Sequence, residues 1–83
     1  MIDRKKAEIK KSIRNMIKDT AMAYTLIRHD VSSLELNVTG KPYGHMITFD
    51  EYNDDGDIST DAEHDEIYEA IKLIVDEHNQ SLD

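Results

Sequence analysis

The spacing of apolar residues changes period twice along this chain, and that change limits the folds open to it. Ile9, Ile13, Met16, Ile17 and Thr20 recur with the 3.6-residue period of a helix, and Tyr24 and Ile27 continue the same face. Leu34, Leu36 and Val38 then alternate with Ser33, Glu35 and Asn37, the pattern of a half-buried strand. A second strand is expected over His45–Tyr52, with Ile47 and Phe49 on one face and Met46 and Thr48 on the other. Between the two lies Gly40-Lys41-Pro42-Tyr43-Gly44, a turn sequence that makes the pair a β-hairpin. The helical period returns at Ile67, Ile71, Ile74 and His78, flanked by Tyr68 and Val75. Thr60 stands three residues before Glu63 as a capping box, so the second helix is expected from about Asp61 to Asn79. The fold class is α+β: one small domain over residues 1–83, with both helices on one face of the sheet.

Residues 22–28 carry two readings. A helix continuing to about Arg28 keeps one apolar face unbroken and gives the order α-β-β-α, which the pattern slightly favours. A helix ending near Asp19 leaves Met22, Tyr24 and Leu26 on one side of a strand and gives α-β-β-β-α. Under either order the expected core is Ile9, Ile13, Met16, Ile17, Leu34, Leu36, Val38, Ile47, Phe49, Ile67, Ile71 and Ile74. An open edge strand in so small a sheet permits a homodimer.

Size and composition then narrow the function. A domain of 83 residues has a thin core, and a deep substrate pocket would take residues that the core needs. The expectation is therefore a protein that is not an enzyme, with no catalytic residues and no cofactor. The chain has no cysteine, which removes disulfide staples, thiolate nucleophiles and cysteine zinc sites. It is compatible with a cytoplasmic location. No apolar run approaches the length of a membrane span, and no apolar segment follows the basic start Met1-Ile2-Asp3-Arg4-Lys5-Lys6. His64-Asp65-Glu66-Ile67-Tyr68 lacks the second histidine of a zinc helix, and no serine lies in a nucleophile motif.

Charge is divided between the two parts of the chain. Residues 1–28 hold eight cations and three acids, whereas residues 29–83 hold two cations and fifteen acids. Lys6, Lys10, Arg14 and Lys18 form a row on one flank of the first helix. This row can bind phosphate, balance the acidic half, or simply be solvated. The net charge of −8 argues against nucleic acid as the main partner, because long-range repulsion slows its approach. On the second helix Asp61, Asp65 and Glu69 repeat every fourth residue, about 6 Å apart along the axis. Asp54, Asp55 and Asp57 in the preceding loop extend that negative field, and Tyr43 at the hairpin tip offers an aromatic anchor. These seven residues are the candidate contacts to a protein partner with a basic surface. The arrangement is analogous in type to small acidic phage-encoded anti-defence proteins and DNA-mimic inhibitors, without a shared motif.

Two other functions fit the same segments. Residues 51–62 resemble the centre of an EF-hand loop: Asn53, Asp55, Gly56, Ile58 and Ser59 match its positions three, five, six, eight and nine. The first position is Glu51 rather than Asp, and the twelfth is Ala62, with Glu63 one residue late. The resemblance implies a weak calcium-binding module over 51–63; the competing reading is an acidic turn that caps a helix. The third function is a structural protein that self-assembles, basic helix against acidic helix.

Overall fold

The computed structural model describes residues 2–42, 44–53, 56 and 58–82. Helix α1 spans Asp3–Ile17, strands β1, β2 and β3 span Tyr24–Asp30, Ser33–Val38 and Gly44–Thr48, and helix α2 spans Asp61–Gln80. The strands form an antiparallel sheet in the order β1-β2-β3.

The helix-to-Arg28 reading is thus corrected: the described residues form three strands. Helix α1 ends at Ile17, where the Thr20 hydroxyl and backbone N–H both donate to the Ile17 carbonyl, at 3.0 and 3.1 Å. From Tyr24 onward the backbone pairs with β2, with Leu26 opposite Leu36 and Arg28 opposite Leu34. A third strand turns a marginal two-stranded ribbon into a sheet with a full inner face, and this outweighs the helical periodicity of one segment. Between β1 and β2 the Asp30 carboxylate accepts from the Ser32 N–H at 2.9 Å, an Asx turn that closes the hairpin without glycine or proline.

The strand expected over His45–Tyr52 is also shorter than its pattern. It ends at Thr48 and a 3-10 turn over Phe49–Tyr52 follows. Thr48 lies opposite Ser33, the first residue of β2, so no partner strand extends further. The Phe49 N–H makes the last cross-strand bond, to the Ser32 carbonyl at 2.9 Å, and its ring turns fully into the core.

The register places Arg28, Leu34 and Ile47 in one row and Leu26, Leu36 and His45 in the next, on the side of the helices. Ile9, Ile13 and Ile17 of α1 and Ile67, Ile71, Ile74 and Val75 of α2 share one core with Leu34, Leu36, Ile47 and Phe49. Ile58 completes it, held because the Asn53 carboxamide accepts from its N–H at 2.8 Å and donates to its carbonyl at 2.6 Å. Met16 packs against this core but is only partly buried, and Val38 is half-buried near the strand end. On the other side of the sheet, Ile27, Glu35 and Met46 share a row that faces away from the helices.

Candidate acidic interaction surface

The acidic surface rests on how α2 begins. The Thr60 hydroxyl accepts from the Glu63 N–H at 3.2 Å, and the Glu63 carboxylate accepts from the Thr60 N–H at 3.0 Å. The same carboxylate accepts from the Ser59 N–H at 3.1 Å. The Ser59 backbone first, then the Thr60 hydroxyl, hold the Glu63 carboxyl below its ordinary value. These bonds are the capping box expected at the start of α2. Glu63 and Asn53 use their side-chain oxygens within the fold. A 3-10 turn, not a helix, leads into the loop. Asp54, Asp55 and Asp57 lie outside the described residues, as does Tyr43. Among the described residues no group of three His, Asp or Glu side chains is arranged to hold a metal ion.

Once capped, α2 runs 20 residues and turns its carboxylates outward. Asp61, Asp65, Glu69 and Asp76 are exposed and fall within one arc of the helix, which Lys72 interrupts. Leu73 is 59 % exposed beside them, between Glu69, one turn before, and Asp76 and Glu77, one turn after. Sequence reasoning missed this leucine because it searched the face for charge alone; its signal was an apolar residue off the Ile67–Ile71–Ile74 stripe.

Among the described residues, Asp65 is the member of the row that is ion-paired to the sheet. Its carboxylate accepts from the Arg28 guanidinium at 2.7 Å. Arg28 also lies over the Tyr68 ring at 4.7 Å and donates to the Val31 carbonyl at 3.1 Å. Strand β1 thus fixes Asp65, whereas Asp61 and Glu69 have no ion pair among the described residues.

The basic row divides in the same way. Lys6 pairs with Glu66 at 3.4 Å, so part of it balances the acidic helix. Arg14 and Lys18, with Lys11, instead border a groove of about 490 Å³ floored by Ile17 and Ile74 and closed by Glu77 and His78. His78 is half-buried at the helix end, where its Nε2–H donates to the Met22 carbonyl at 2.9 Å. His64 donates through Nδ1 to the Thr60 carbonyl at 2.8 Å and stacks on Phe49. Both histidines serve the packing of α2. No helix among the described residues is long and apolar enough to cross a membrane.

No protein-family model, curated protein or solved structure matches the chain.

Proposed function

We propose that this chain is a non-enzymatic interaction protein, an inhibitor or adaptor that covers a cationic surface on a protein partner. The observation that supports this reading is the outer arc of α2, where Asp61, Asp65, Glu69 and Asp76 stand exposed, with Leu73 at the edge of its C-terminal half between Glu69, Asp76 and Glu77. An apolar side chain bordering a charged row suits a protein interface, where a contact that excludes water lies beside charges that steer association. Carboxylates about 6 Å apart along a helix are spaced on the same order as phosphates along a nucleic-acid strand. A groove that receives nucleic acid is therefore the surface such a face fits. Occupation of that groove by α2 would block it sterically and electrostatically, with no bond made or broken. This is the DNA-mimic mode, suited to anti-defence inhibition by a phage protein in the cytoplasm.

The test is capture of partners from a bacterial lysate on the immobilised protein, eluted with rising salt. A nucleic-acid-binding protein released at moderate salt, and lost with both Glu69→Lys and Leu73→Asp, is the expected outcome. Binding that ignores salt and both substitutions would show that α2 is not the contact.

A further inference from the structure

The sheet has two edges, and the fold treats them differently. Strand β1 is closed at one end, where the Asn79 side chain occupies both the N–H and the carbonyl of Tyr24, and it carries Arg28 and Asp30. Strand β3 is the other edge, and its residues Gly44-His45-Met46-Ile47-Thr48 include no Lys, Arg, Asp or Glu. That is unusual in a chain with 34% charged residues, because edge strands are commonly guarded by charge or proline.

The hydrogen-bond phase of β3 can be read from its end. The Phe49 N–H points inward to Ser32, so alternation turns the N–H and C=O groups of Gly44, Met46 and Thr48 outward. Met46 is 50 % exposed, on the sheet face away from the helices.

We propose that a second copy of this chain adds to β3, antiparallel and centred on Met46, making one six-stranded sheet. Three features select that occupant. An antiparallel strand is self-complementary: Met46 meets the second copy's Met46 and Gly44 meets its Thr48, giving about six backbone hydrogen bonds. The two methionine side chains then lie side by side on the open face. Charge is complementary at both ends as well. Lys41, one of two cations after residue 28, precedes the strand, and exposed Asp50 and Glu51 follow it, so antiparallel pairing brings each Lys41 toward the second copy's Asp50 and Glu51. Two short strands bury less than about 1,200 Å², so the dimer is a weak, concentration-dependent one. It leaves the outer arc of α2 free and does not depend on the function proposed for that arc.

Sedimentation velocity from about 10 µM to about 1 mM tests this, a range suited to weak interfaces. The mass is expected to rise from one chain to two. Met46→Pro removes an N–H that points outward, so the internal ladder and the circular dichroism should be unchanged. Losing one hydrogen bond from each copy should weaken the dimer by about 30-fold or more. If Met46→Pro does not fold, Met46→Lys places a guarding charge at the same edge and should likewise yield a monomer. Amide exchange at Met46 and Thr48 should slow as concentration rises, while that at Ile47 should not. A single-chain mass throughout, or a dimer that the folded variant leaves intact, overturns the proposal. Added salt separates it from a contact between basic α1 and acidic α2. The helix contact weakens steeply with salt, whereas strand pairing, held by backbone hydrogen bonds, changes little, because the attraction of Lys41 to Asp50 and Glu51 and the repulsion between chains of net charge −8 are screened together.

Discussion

The Asn79 side chain, near the end of α2, takes the place of a neighbouring strand for Tyr24 at the start of β1. Its carboxamide oxygen accepts from the Tyr24 N–H and its amide nitrogen donates to the Tyr24 carbonyl, both at 2.8 Å. Close by, His78 packs edge-on against the Tyr24 ring at 5.6 Å and donates to the Met22 carbonyl. Two consecutive residues of α2 therefore fix where β1 begins, and with it the angle at which the helix crosses the sheet edge.

Asn79→Leu should expose that dependence. The substitution keeps the bulk but leaves a half-buried N–H and carbonyl without partners, at a cost of about 1–3 kcal/mol. A urea midpoint lowered accordingly, with faster amide exchange at Tyr24, is the expected result. An unchanged midpoint would mean that water replaces the carboxamide at no cost.

Arg28 and Asp65 should separate stability from binding. Their pair is exposed on the Asp65 side, so Asp65→Asn should cost no more than about 1 kcal/mol. Arg28→Ala should cost more, because its stem also covers Tyr68 and its guanidinium bonds to Val31. Thermal unfolding of both variants ranks them. The acidic-surface reading adds that Asp65→Asn weakens partner capture despite its stable fold.

The sequence carried the inner surface of this protein more clearly than its outer one. Ile9, Ile13, Ile17, Ile67, Ile71 and Ile74 are buried where their helical period puts them, and Leu34, Leu36, Ile47 and Phe49 where alternation does. Burial leaves a periodic trace, so these positions are readable. Strand β1 was ambiguous because Tyr24 and Ile27 satisfy a helical period while Tyr24 and Leu26 satisfy a strand period; only the presence of β2 decides between them. The burial of Ile58, named only as a match to the EF-hand loop, was illegible for a different reason. It stands alone in a polar loop and is drawn inward by the Asn53 clamp, which has no periodic signature. On the surface, the row Asp61, Asp65, Glu69 was legible as spacing, but the tether on Asp65 was not, since Arg28 lies 37 positions away in sequence.

The capping box should give stability a dependence on acid. Hydrogen bonds from Ser59 and Thr60 hold the Glu63 carboxyl below its ordinary value of 4.5 when folded. A folded value lower than the unfolded one favours the folded state above pH 4.5, and the gain is lost as pH falls from there through the folded value. Glu35 adds in the same direction, its carboxyl lowered first by the His29 hydrogen bond and next by Asn37. Thr60→Ala should cost about 1 kcal/mol at neutral pH through loss of the N-cap. Glu63→Gln should flatten the fall of the urea midpoint between neutral pH and pH 3. A slope identical to that of the parent protein would show that Glu63 titrates alike in both states.

Gly44 opens β3 at a place where a side chain has no room. A Cβ there would collide with the Asn37 carboxamide and lie within 2.6 Å of the Leu36 carbonyl oxygen. Asn37 is itself buried, opposite Gly44 in the ladder, and its amide supports Glu35. The side chain can move aside only by giving up that bond, and the Leu36 carbonyl cannot move without disturbing β2. Gly44→Ala should therefore destabilise by about 1–3 kcal/mol, as overpacking does elsewhere. Asn37→Ala in the same chain should recover part of that loss and not all of it, because the backbone contact remains. A double-mutant cycle read by urea unfolding distinguishes the two sources of the clash. Complete recovery would assign it to the carboxamide alone; simple additivity would show that Asn37 does not obstruct the site.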